Sequence, residues 1–110
     1  MYSGHVEVGG RADVCELPTV VISKLAVGPM DNNVYLLRCA TTGEQLLIDA
    51  AAEPERILNL VGGKNLTGIL TTHRHHDHWG ALADVTRATD APTYAHDADA
   101  DAIDVPTTHR

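Results

Sequence analysis

Between residues 45 and 96 short apolar runs alternate with segments of helical spacing. QLLIDA (45–50), LTGILTT (66–72) and PTYAH (92–96) read as strands, rich in aliphatic or β-branched residues and bounded by turn formers. Between them lie EPERILNLVGG (53–63) and WGALADVTRAT (79–89). Ile57, Leu58 and Val61 repeat at helical spacing in the first, with Gly62–Gly63 as a stop, and Leu82 and Val85 stand three apart in the second. A helix between two strands carries the chain back to the end where it started, so the strands run parallel. This order constrains the fold more than anything else in the chain.

The first half reads differently. VVISKLAV (20–27) and VYLLRC (34–39) are strands, and GPMDNN (28–33) between them is a loop by composition. With QLLIDA, residues 34–50 form an antiparallel hairpin whose turn, ATTGE, is longer than the tight two-residue kind. Residues 1–18 are mixed: HVEV (5–8) is a short strand, a Gly-Gly pair breaks it, and Pro18 marks a turn or the next extended piece. DADADAIDVP (97–106) is one or two helical turns stopped by Pro106. The expectation is an α/β fold, a mixed sheet with helices on one face, in a single unit without repeats or linkers.

At 110 residues with 44% hydrophobic composition, the chain can bury a core, and with no phenylalanine the aliphatic residues must supply it. No run of 18 apolar residues occurs, and no basic stretch precedes an apolar one at the N-terminus, so the reading is soluble, non-secreted and cytoplasmic. Fifteen acidic and 8 basic residues give a formal net charge of −7, which disfavours nucleic acid and anionic membranes as partners. Bound cations would offset part of that charge. Cys15 and Cys39 are too few and too far apart for a thiolate cluster, and read as two free thiols.

Four of the seven histidines fall in TTHRHHDHWG, residues 71–80. His73, His75, Asp77 and His78 form the pattern H-x-H-x-D-H directly after the apolar GILTT run. Ligands gather where strands of αβ proteins end. Alternate residues of an extended segment point the same way, so His73 and His75 can address one ion. Asp77 and His78 follow the turn and can address a second. Imidazole and carboxylate suit zinc, and also iron or manganese. A bound ion lowers the pKa of water to about 7, and two ions about 3.5–4 Å apart can share the hydroxide. The reaction class is hydrolysis by metal-bound hydroxide. His76, at an x position, reads as solvated or as backing a ligand, Arg74 as a structural or surface arginine, and Trp79 as packing at the helix start.

With these residues in view, the chain resembles the metallo-β-lactamase superfamily. H-x-H-x-D-H after a strand ending in threonines is that family's signature. MDNNVYLL (30–37) and LLIDAAAEPERI (46–57) are similar to its glyoxalase II-like hydrolase branch, and the resemblance spans residues 19–105. It implies an αβ/βα sandwich. It implies His73 and His75 as ligands of a first metal, and Asp77 and His78 as ligands of a second. Asp77 would also act in catalysis, orienting the water or moving its proton. Asp49 would be the outer carboxylate that supports the metal loop. Asp31, Asn32 and Asn33 fall in a loop near the family's site and read first as a plain turn. His96 and His109 stay outside the metal set.

The departure is as informative as the match. The family's domain has a second αβ half that brings a further first-site histidine, a bridging aspartate and a last histidine. Their spacing places them past residue 110. A catalytic zinc site takes about three protein ligands per ion. The expectation is therefore the N-terminal half of such a domain, over residues 1–110. It would be a fragment, the product of a truncated gene, or one of two chains that together close the site, and the first two are preferred. The intact protein would be a zinc-dependent hydrolase, with two ions, of a small ester or thioester. Residues 1–110 alone would show little or no activity. A non-catalytic metal-binding subunit that needs a partner chain is the alternative. A lactonase or an iron-dependent sulfur dioxygenase would share the cluster.

Overall fold

A computed structural model describes residues 4–110. Six strands form one sheet in sequence order: β1 (Asp13–Glu16), β2 (Val20–Val27), β3 (Asn32–Cys39), β4 (Gln45–Ile48), β5 (Leu66–Thr71) and β6 (Thr93–Ala95). The first four pair antiparallel, while β4–β5 and β5–β6 are parallel. Helix α1 (Pro54–Val61) joins β4 to β5, and α2 (Leu82–Thr89) joins β5 to β6. A one-turn α3 (Asp97–Ala100) follows β6. The mixed sheet expected from the alternation is present.

The local causes are legible. Pro54 occupies the first turn of α1, where its missing N–H costs nothing, and Gly62 closes the helix in the left-handed region with its N–H on the Leu58 carbonyl. Ile57 and Val61 face inward from α1, Leu82 and Val85 from α2, and the two helices touch. Beneath them lie Val34, Leu36, Leu47 and Ile69, from adjacent strands and one face of the sheet. The other face, by the period-two alternation, carries Ile22, Leu37, Leu46, Ile48, Leu70 and Tyr94, all half-buried. The buried Gln45 side chain donates its Nε2 to the Val61 carbonyl at 3.2 Å.

Two expectations need correction. HVEV at 5–8 is not a strand; the N-terminal edge strand is β1, five residues beyond it. Val14 and Cys15 pair there with Ser23 and Ile22 of β2. α2 begins at Leu82 rather than Trp79, because His76–His78 coil into a separate 3₁₀ turn first. Both cysteines are free. Among the described residues no helix is long and apolar enough to cross a membrane.

Candidate metal centre

The sheet topology brings three segments to one end. β4 and β5 are parallel, so the residues after Ile48 and after Thr71 leave the sheet side by side, with Asp49 N donating to the Leu70 carbonyl at 2.8 Å. β3 runs antiparallel to β4, so its first residues and the β2–β3 turn lie at that same end. Asp49, the segment 72–78 and Asn32 therefore meet although they are distant in sequence.

The segment after β5 folds back on itself. It bends at Arg74–His75, where His75 itself has an extended backbone (φ −66°, ψ 138°), and then coils into the 3₁₀ turn His76–His78. The His73 and His75 rings stand edge to face with centroids 4.0 Å apart, and the His78 ring is 5.3 Å from His73. Asp77 Oδ2 lies 3.8 Å from His78 Nε2. All four candidate ligands are thus brought together. Among the described residues, however, no group of three or more His, Cys, Asp or Glu side chains is set to hold one ion.

Asp49 anchors this loop. It is only 7% exposed and accepts three hydrogen bonds: from Thr72 N (2.7 Å), Thr72 Oγ1 (2.6 Å) and His78 Nδ1 (3.0 Å). A carboxylate can only accept, so His78 Nδ1 carries a proton, and in the neutral ring the lone pair is then on Nε2. That is the arrangement in which outer carboxylates hold metal-binding histidines. Asp49 has φ 61°, a left-handed conformation that aspartate tolerates better than most residues.

Asp77 is held from the other side. Asn32 Nδ2 donates to its Oδ2 at 3.1 Å. This bond holds the Asp77 carboxyl below its ordinary range; partial burial opposes the shift, and the neighbouring His78 and His75 assist it. Asn32 and Asn33 thus depart from the plain-turn reading, since both lie in β3, whereas Asp31 is an exposed turn residue and keeps it. Trp79 is buried, and its Nε1 donates to the Arg74 carbonyl at 2.8 Å, closing the loop. Arg74 is exposed and pairs with Asp99 at 3.3 Å. His76 is exposed and packs its ring on Trp79. His96 accepts from Ala98 N at the start of α3, and His109 stacks on Tyr94, so both are engaged elsewhere.

Beside Asp77 opens a cavity of about 330 Å³. Met30, Ala51, Ala52 and Pro54 give it an apolar wall, and Asn32, His76 and Asp77 give it a polar end. No local pattern announces this cavity, because its walls come from the β2–β3 turn, the β4–α1 loop and residues 76–81.

The model of the metallo-beta-lactamase superfamily matches residues 27–105. The chain belongs to the metallo-β-lactamase superfamily. Among curated members it is 37% identical over 79 residues to a hydroxyacylglutathione hydrolase of Polaromonas sp. (strain JS666), which is 70% of this chain and 30% of that protein. It is also 37% identical over 75 residues to a probable metallo-hydrolase of Bacillus subtilis (strain 168), covering 66% of this chain and 35% of the relative. The chain thus spans about a third of the length of the curated relatives it matches. Among solved structures, TTHA1623 in a di-iron-bound form is 40% identical, with a TM-score of 0.61 over 69% of this chain and 38% of the other. A B3 metallo-β-lactamase aligns at 26% identity with a TM-score of 0.67 over 73% of this chain and 39% of its own.

Three imidazoles and a carboxylate suit a borderline divalent ion, and the Asp49–His78 bond leaves a nitrogen free for it.

Proposed function

We propose that this chain is the metal-binding N-terminal half of a hydrolase domain that cleaves small esters or thioesters, with hydroxyacyl thioesters of glutathione as the leading substrates. The observation that carries this reading is the junction of His73, His75, Asp77 and His78 over the Asp49 carboxylate. The names of the curated relatives support the substrate class. His73 and His75 would hold one ion, and Asp77 and His78 a second. Zinc is the first candidate, and the di-iron relative keeps iron a specific second one. An ion bound there supplies a Lewis acid and a nucleophile at neutral pH.

The chain's own residues have separable tasks. Asp49 fixes the His78 tautomer. Asp77 orients the attacking water or takes its proton. The cavity beside it is sized for a small acyl group, and its apolar wall excludes water there. The ligands that close the centre would come from outside residues 1–110, on a further segment or a second chain.

The test is a hydrolysis assay on the zinc-loaded 110-residue chain, with a hydroxyacyl thioester, a lactone and a β-lactam in parallel. We expect zinc binding with little or no turnover, and preferential thioester cleavage once the completing half is supplied. Ordinary turnover by the chain alone would defeat the incomplete-centre reading. Preference for the lactone would move the assignment to that class, and failure to bind zinc, iron or manganese would defeat the hydrolase reading itself.

A further inference from the structure

Asn32 is the first residue of β3, 45 positions before Asp77, and it donates across the mouth of the cavity to the Asp77 carboxylate. Its place is fixed from both directions. In the sheet it pairs with Val27, the fully buried last residue of β2. The turn between them is tied at its other end, where Gly28 N donates to Glu53 Oε2 at 2.7 Å. Glu53 in turn faces Arg56, whose guanidinium donates to the Ala26 carbonyl at 3.0 Å and to the Gly10 carbonyl. The amide that reaches Asp77 therefore stands on a braced turn. Asn33, the next residue, is exposed and by alternation faces the opposite way.

We propose that Asn32 is a positioning residue that fixes the Asp77 carboxylate, holding Oδ2 so that this oxygen stands 3.8 Å from His78 Nε2, on the side where the two would share an ion or water. A carboxylate of two equivalent oxygens can otherwise rotate between them and bind in either mode. Asn32 removes that freedom before any ligand arrives, and it links the shape of the cavity to the geometry of the ligand. The inference rests on the reading of Asp77 as a metal ligand.

The experiment is a double-mutant cycle on zinc affinity, measured on the 110-residue chain by competition with a chromophoric chelator near neutral pH. Asn32→Leu keeps the side chain's shape without its donor. We expect it to weaken zinc binding about 10- to 100-fold, the usual loss for an outer partner of a ligand. Asp77→Ala should weaken the same binding, and Asn32→Leu in the Asp77→Ala background should weaken it no further. Asn33→Ala should leave it unchanged. Additive losses, an unchanged affinity in Asn32→Leu, or an equal loss in Asn33→Ala would each overturn the proposal while leaving the metal reading intact. A chain that binds no zinc would overturn both. If Asn32→Leu and Asn32→Ala both unfold at room temperature by circular dichroism, Asn32 is a structural residue and the proposal fails.

Discussion

Replacing Asp49 by asparagine tests the anchoring of the metal loop without moving a ligand. The amide keeps the shape of the side chain and tolerates the left-handed backbone at φ 61°. It has one acceptor oxygen where the carboxylate has two, and its NH2 faces donors. Thr72 N–H, Thr72 O–H and His78 Nδ1–H all point at this group. Thr72 is exposed, so water can replace the partner of its hydroxyl. The loss then falls on one or both of the N–H donors. A hydrogen bond to an ionised group contributes about 1.5–3 kcal/mol, so Asp49→Asn should destabilise the chain by about 2–3 kcal/mol. Asp49→Ala should cost about 1 kcal/mol more, because alanine resists the left-handed conformation. With a urea slope of about 1.5 kcal/mol/M, the Asp49→Asn midpoint should fall by about 1.3–2 M. The assay is equilibrium urea unfolding followed by circular dichroism and Trp79 fluorescence. A midpoint shift below about 0.3 M would refute the claim that Asp49 holds the loop.

Three other outcomes follow from the packing. A Cβ added at Gly80 would lie 2.7 Å from the Ala51 carbonyl oxygen, which is backbone, so Gly80→Ala should destabilise by about 1–3 kcal/mol, and an unchanged melting temperature would contradict this. Ile57 is fully buried under α1, so Ile57→Ala should cost about 2–5 kcal/mol in urea unfolding, and a cost below Ile57→Val would show that α1 is loosely packed. The Thr42 side chain and the Thr42 and Thr41 backbone N–H groups hold the Cys39 thiol below its ordinary range. Cys39 should therefore alkylate faster than Cys15 near neutral pH and slow in Thr42→Ala; equal rates would contradict it.

The parallel half of the sheet was readable because its strands and helices carry their own periodicities and stops, such as Pro54 and Gly62. The edge strand was not. β1 alternates half-buried and exposed residues and has only β2 as a neighbour, so Asp13–Glu16 carries no apolar run to find. The early start expected for α2 failed because His76–His78 satisfy their backbone groups in a tighter turn, with His78 N on the His75 carbonyl and Trp79 N on that of His76. At the site, the histidine-rich run 73–78 marked the place, and the resemblance to the family signature selected His73, His75, Asp77 and His78 from it rather than His76. Asn32 could be placed only near the site. Whether it reaches Asp77 depends on the bracing of the β2–β3 turn by Glu53 and Arg56, a contact set that no local pattern encodes.

His73, His75, Asp77 and His78 are proposed to act together on metal. The direct measurement is zinc affinity of the chain and of single alanine variants at each of the seven histidines and at Asp77. The variants at 73, 75, 77 and 78 should each weaken binding about tenfold or more, a loss of about 1.4 kcal/mol. Those at His5, His76, His96 and His109 should bind as the parent does. Uniform affinity across the set, or losses centred on His96 and His109, would contradict it.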